Sequence, residues 1–324
     1  VNFVQSKHKV VKVVDIASNV NPTTNPFVRT LFRSIEYVRI MICFFYYILG
    51  GADRVYLTIA QSPLGFWRDY FFIMVASSLG VPVIVHLKGG NYKGFFESSS
   101  AIKKLFIKSA LIRVRTIIVL SERLLETFDF DQRLTKKLQV IKNGFIGSEP
   151  APPLNVENVK PLHVVFLSNL ILSKGYLKLI DAVKTLIDEG GDVKLTMAGA
   201  FMPSVDDDIN LRGNKVRSRK DLMEYIGSGY DISYAGTLDG EAKWELLKKS
   251  HVMVLPTSYI YEGQPVSIIE GLAYGLPIVS TNYKAIPDMV SSLNGILLSK
   301  SNSQEIANAI RVFFDVELLN KMRQ

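Results

Sequence analysis

Glu262 and Glu270 stand eight residues apart in the segment HVMVLPTSYIYEGQPVSIIEGLAYGLPIVS, residues 251–280. The segment opens as an apolar run ending at Pro256 and crosses a polar loop. It takes up helical spacing near Gln264 and Pro265, where a proline's missing N–H leaves nothing unpaired. Gly275 is a helix C-cap candidate, and Pro277 precedes the next apolar run. Glu262 sits just before the helix and Glu270 about two turns inside it; eight residues, if fully helical, would rise about 12 Å, comparable to the separation of a sugar ring and a ribose joined by two phosphates. Carboxylates so spaced can accept hydrogen bonds from hydroxyls at both ends of a nucleotide sugar. The amides of Gly263 and Gln264, beside a helix N-terminus, suit the pyrophosphate between them.

Residues 162–182, LHVVFLSNLILSKGYLKLIDA, repeat the strand–loop–helix logic. A buried strand ends at Leu167, a polar loop runs through Ser168 and Asn169, and Lys174 and Gly175 open a helix. A lysine there can reach a phosphate at the carboxyl edge of a parallel sheet, where open α/β folds bind ligands. Earlier, residues 83–96 read VIVHLKGGNYKGFF. His86 and Lys88 are alternate residues and share a face, and Gly89 and Gly90 allow close approach of backbone to a sugar or acceptor.

The elements needed to position these groups follow from periodicity. Short β-branched runs alternate with turns and with amphipathic stretches whose apolar residues recur three and four apart, the pattern of βαβ units and a parallel sheet. Candidate strands fall at 10–14, 54–57, 83–87, 116–120 and 138–141, and again at 163–167, 193–197, 232–234, 251–255 and 278–280. Residues 146–160, with Pro150, Pro152 and Pro153, make a poor element and a good connector. Two domains are therefore expected, at 1–150 and 161–324.

The 324 residues, 48% hydrophobic, fit two packed domains and not a disordered polymer. The net charge of +8 is uneven. Residues 1–160 hold 21 Lys/Arg and 11 Asp/Glu, a net of +10, whereas the remainder is net −2. The single cysteine, Cys43, cannot form an internal disulfide, which points to a reducing, cytoplasmic compartment. The longest apolar run, residues 40–52, is shorter than the 18–20 residues a bilayer span needs, and reads as a buried helix. Residues 1–12 show no signal-peptide pattern, and the chain reads as a fragment. Residues 103–115, KKLFIKSALIRVR, form a basic amphipathic helix suited to an anionic membrane surface.

Other chemistries lack their residues. Asp129/Asp131 and Asp206–Asp208 follow no long apolar strand and read as solvated loops. His8, His86, His163 and His251 form no HExxH pattern, so no metal site is expected. No P-loop or GxGxxG is present, and no cofactor is expected. A basic nucleic-acid binder is disfavoured by the net-negative second half and the lack of aromatic-rich basic motifs.

Taken together, the two segments resemble retaining glycosyltransferases of the large family typified by sucrose synthase, lipopolysaccharide core and mannosyl transferases: glycosyltransferase family 4, or glycosyl transferases group 1. Its signature of a glutamate, seven residues and a second glutamate fits Glu262 through Glu270, and its lysine-glycine matches Lys174-Gly175. Met197-Ala198-Gly199, Tyr234-Ala235-Gly236, Ser121-Glu122 and Asn143-Gly144 are further echoes. The resemblance implies the GT-B fold, an α/β architecture of two Rossmann-like domains with parallel sheets facing a central cleft, the first binding acceptor and the second the nucleotide sugar.

By the same resemblance, Glu262 would bond the donor sugar's hydroxyls, Glu270 the ribose, and Lys174 the diphosphate. Ser168, Asn169, Gly175, Gly263, Gln264 and Pro265 would complete the donor site. Lys88, Gly89 and Gly90 would face the acceptor, and His86, at the cleft, would be catalytic together with Glu262 and Lys174. The family's usual glycine-arginine reads Ser168-Asn169 here, so one of two expected cations is missing. The opening glycine-rich loop is not recognisable near residue 1, and the last helix is cut near Gln324.

The activity so implied is metal-independent transfer of a UDP- or GDP-linked sugar to a lipid-linked glycan acceptor in bacterial surface polysaccharide or glycolipid synthesis, at the inner face of the plasma membrane. A nucleotide-sugar epimerase or phosphorylase of the same fold, and a sugar-binding relative without activity, are the alternatives.

Overall fold

The computed structural model describes residues 26–147, 156–202 and 216–323. The expected strand at 10–14, the prolines at 150–153 and the acidic run at 206–208 lie outside them. By its internal packing the chain divides into two compact units, one of residues 1–86 with 101–117, the other of 87–100 with 118–324.

The first unit contains helix α1 (Pro26–Leu49), β1 (Val55–Thr58), α2 (Pro63–Ser78), β2 (Val83–His86), and, after the excursion into the second unit, α4 (Ala101–Arg113). Strands β1 and β2 pair in parallel, with Val55 opposite Val83 and Thr58 opposite His86. Pro63 starts α2 in the first turn, as its fixed φ favours. The expectation of a buried helix at 40–52 is corrected. The helix ends at Leu49, and although Ile40 and Ile48 are buried, Ile42, Phe45, Tyr46 and Leu49 are exposed. An unbroken apolar run wraps every side of a helix, whereas only one side packs, with Phe44 set 4.6 Å from Phe72 ring to ring. On α4, Ile107, Ala110 and Leu111 are buried, while Ile102 and Leu105 are exposed beside Lys103, Lys104 and Lys108. Among the described residues no helix is long and apolar enough to cross a membrane.

The second unit holds α3 (Tyr92–Glu97), β4 (Leu138–Val140) and a six-stranded sheet. The sheet's strands are β5 (Leu162–Leu167), β6 (Val193–Ala198), β7 (Ile232–Tyr234), β8 (Val252–Leu255), β9 (Ile278–Thr281) and β10 (Gly295–Leu298), in the order β10-β9-β8-β5-β6-β7. Every neighbouring pair is parallel. All four residues of β8 are buried, as expected of a strand covered on both faces by helices. Those helices are α5 (Tyr176–Asp188), α6 (Arg219–Ile226), α7 (Gly240–Lys249), α8 (Val266–Ala273), α9 (Ser303–Arg311) and α10 (Val316–Met322). A separate sheet has the order β1-β2-β3-β4, with β3 at Thr116–Val119.

Strand positions follow the sequence reading to within a residue or so, except β10, a four-residue strand it did not foresee. Asp131 is also corrected: it is buried, accepts a bond from the Arg133 amide and pairs with the Arg133 guanidinium at 2.7 Å. It caps a turn.

Away from the ligand-binding edge, His251 Nδ1 accepts the His163 backbone N–H at 3.0 Å. Burial, with Arg323 and His163 adding to it, pulls His251 down to about 4. As pH falls below 6.5 the unfolded chain takes up the proton first, so stability is full above that pH and declines toward pH 4. Allowing for partial exposure, about 1–2 kcal/mol is lost across this window. Urea unfolding at pH 7 and pH 4.5 is expected to show the decline in the native protein and a shallower one in His251→Asn, whose amide oxygen can keep the bond from His163.

Candidate active site

Strand order fixes where a ligand can sit. From β5 the chain moves outward through β6 and β7, then returns to β8 on the other side, so the connections leaving β5 and β8 diverge and open a crevice at their carboxyl ends. A cavity of about 410 Å³ lies there within the second unit, in the usual range for ligand pockets.

The loop leaving β5 supplies Ser168 and Asn169, then a short turn, Leu172–Lys174, and Gly175, which caps α5 at φ +82°. The loop leaving β8 supplies Thr257, Tyr259 and Glu262. The two loops are tied by the Ser258 N–H, which donates to Ser173 O at 2.7 Å. Lys174 is buried, its Nζ 2.6 Å from Glu262 Oε2 and 4.7 Å from the centre of the Tyr259 ring. Thr257 Oγ1 donates to the same carboxylate oxygen at 2.9 Å. Among the described residues nothing bonds Glu262 Oε1.

Helix α8 begins at Val266 with Pro265 as its cap, so Glu262 precedes the helix and Glu270 sits just over one turn inside it. Glu262 stands before the helix as the sequence reading has it, the expectation of Glu270 about two turns inside is corrected to just over one, and both acids line the cavity. Glu270 Oε1 is held by Lys243 of α7 at 2.6 Å, and the ammonium lies 4.1 Å from the centre of the Trp244 ring. Gln264 is tied to Asn143: its Oε1 accepts the Asn143 N–H at 2.6 Å, and its carbonyl accepts Asn143 Nδ2 at 3.2 Å.

Two glycines let the 88–90 loop lie against the 261–263 loop. A Cβ on Gly90 would come within 2.1 Å of Glu262 O, and one on Gly263 within 2.1 Å of Lys88 O. The Gly90 N–H donates to Tyr261 O at 3.3 Å, and Lys284 Nζ donates to Gly90 O at 2.8 Å.

Of the residues singled out in the sequence, the cavity wall brings together Lys88, Ser168, Asn169, Lys174, Glu262, Gly263, Gln264, Pro265 and Glu270. Gly90 and Gly175 support it from behind the wall, and Gly89 joins Lys88 to Gly90. His86 belongs to the first unit, where it is buried and bonds the Tyr56 hydroxyl through Nδ1. Sequence reading missed Thr257, Tyr259 and Lys243. The first two lie within five residues of Glu262, but Lys243 carries no signal, being one more lysine on a charged helix.

The family described as glycosyl transferases group 1 matches residues 150–324, more than half of the chain. The chain belongs to this family. Among curated relatives, the uncharacterized glycosyltransferase MJ1607 of Methanocaldococcus jannaschii is 25% identical over 145 residues, which cover 44% of this chain and 33% of that protein. The amylovoran biosynthesis glycosyltransferase AmsK of Erwinia amylovora is 24% identical over 153 residues, 46% of this chain and 35% of its own. The chain thus spans about a third of the length of each. In three dimensions it is similar to the Anabaena protein HepE, solved with UDP-glucose, with a TM-score of 0.64 at 17% identity, covering 89% of this chain and 74% of that one. The group 1 glycosyltransferase carries the GT-B fold, α/β with two parallel sheets.

Removing one partner of the buried Lys174–Glu262 pair leaves a charge without compensation, at a cost of about 3–5 kcal/mol. Lys174→Met should lose about that much stability in urea unfolding, and adding Glu262→Gln should restore more than half of it. Equal destabilisation by both changes, summing in the double variant, would show that the pair is not coupled.

Proposed function

We propose that this glycosyltransferase binds a nucleotide sugar in the second-unit cavity and transfers the sugar, with retention at the anomeric carbon, to a glycan acceptor in polysaccharide synthesis. The observation that carries this reading is that Glu262 and Glu270 line one cavity, each with one carboxylate oxygen tied to a lysine and the other open. Glu262 Oε1 would accept from the donor sugar's hydroxyls and Glu270 Oε2 from the ribose.

In the reaction the bond from the anomeric carbon to the phosphate oxygen breaks as the acceptor hydroxyl attacks from the same face, and the departing phosphate takes the acceptor's proton. The chain's residues act by positioning reactants and stabilising developing charge, with no metal called for. HepE's complex with UDP-glucose supports a UDP-linked donor, with a GDP-linked one as the second option. AmsK's assignment to amylovoran biosynthesis supports a polysaccharide product. The exposed Ile102 and Leu105 among lysines on α4 support an anionic membrane surface, at the cytoplasmic face, as the place where a lipid-linked acceptor is met.

Glu262→Gln is expected to reduce transfer from a radiolabelled donor by about a thousandfold while the variant still binds the nucleoside diphosphate; near-normal turnover refutes the role. Transfer should persist in excess EDTA. Vesicles containing phosphatidylserine should sediment the protein at low salt, and Lys103→Glu with Lys104→Glu should release it. Retention by neutral vesicles alone would overturn the charge-based contact.

A further inference from the structure

We propose that Lys88 is the principal cation for the donor's diphosphate, supplying the charge that the Ser168–Asn169 loop lacks. This inference rests on the nucleotide-sugar reading above and assigns Lys88 to the donor and not the acceptor.

It follows from the charges around the cavity. Glu262 is neutralised by Lys174 at 2.6 Å, and Glu270 by Lys243 at 2.6 Å, so each carboxylate of the wall belongs to a pair with no net charge. A diphosphate approaching Lys174 also meets the Glu262 carboxylate on the same ammonium, and the repulsion offsets much of the attraction. Lys88 lines the same cavity without that burden. Among the described residues no carboxylate pairs with it, and its one polar contact is Asn143 Oδ1 at a long 3.4 Å.

Two further observations place this charge. The Lys88 carbonyl packs directly on Gly263, so the Lys88 backbone is fixed beside the chain that leads into α8, where peptide N–H groups also favour an anion. Partial burial lowers the Lys88 ammonium below its ordinary range, and no carboxylate among the described residues offsets this. A diphosphate supplies a counter-ion. Asn169 does not compete for the role, since its Oδ1 accepts from the Ala200 N–H at 3.3 Å and an amide carries no charge.

The test compares binding of UDP, UMP and uridine, and of GDP, GMP and guanosine, by isothermal titration to the native protein, Lys88→Met and Lys88→Arg, with unfolding temperatures confirming that all three fold alike. In the preferred base series the native protein should bind the diphosphate more tightly than the monophosphate or nucleoside. Lys88→Met should weaken diphosphate binding at least tenfold and leave nucleoside binding within twofold, and Lys88→Arg should recover most of the loss. Unchanged diphosphate affinity in Lys88→Met, or an equal loss for nucleoside and diphosphate, overturns the assignment while leaving the nucleotide-sugar reading standing. Failure of the native protein to bind either series overturns both.

Discussion

The arrangement of the site depends on one buried ion pair. Lys174 and Glu262 come from loops 88 residues apart in sequence, and they meet because β5 and β8 are neighbours in the sheet. Neither side chain is stable alone in so dry a place: an isolated carboxylate or ammonium there would be neutralised or would draw in water. Together, with the Thr257 hydroxyl on the same oxygen, they hold the carboxylate by one oxygen and leave the second without a hydrogen bond among the described residues. Pairing thus settles both the geometry of the acid and how much of the lysine's charge remains for a ligand.

The same device recurs at the other acid, where Lys243 takes one oxygen of Glu270. Its ammonium is backed by Trp244, which in turn stacks on Tyr274 at 5.4 Å. Aromatic packing there does for α7 and α8 what the loop-to-loop hydrogen bonds do near Glu262: it fixes side chains whose own torsions are free. Between the acids, Gln264 gives its side chain to Asn143, and Gly263 gives up a side chain altogether so that the 88–90 loop can approach. The segment from 262 to 270 is thereby tied down at several points, whereas Lys88 on the facing 88–90 loop keeps only the long contact to Asn143.

Much of this was legible in the sequence. Periodicity located the strands of the second sheet because they are β-branched, covered on both faces and bounded by glycine or proline. The two glutamates were recognisable from their spacing and the Gly-Gln-Pro between them. What could not be read were partners chosen by the fold. Asn143 and Gln264 are 121 positions apart, and no local pattern announces their bond. Lys243 looked like any helix-surface lysine until α7 was set against α8. Strand β10 is only four residues long and follows a turn, which gives periodicity too little to act on. The helix at 40–49 misled in the opposite way, since a run of apolar residues says nothing about which side will find something to pack against.

The central claim is that the open oxygens of Glu262 and Glu270 grip the two ends of one activated sugar. A crystal structure with UDP-glucose or GDP-mannose bound tests it most directly. Sugar hydroxyls at hydrogen-bonding distance from Glu262 Oε1, with ribose hydroxyls at Glu270, are the predicted result. A donor seated with either acid pointing elsewhere, or bound outside this cavity, would contradict the account.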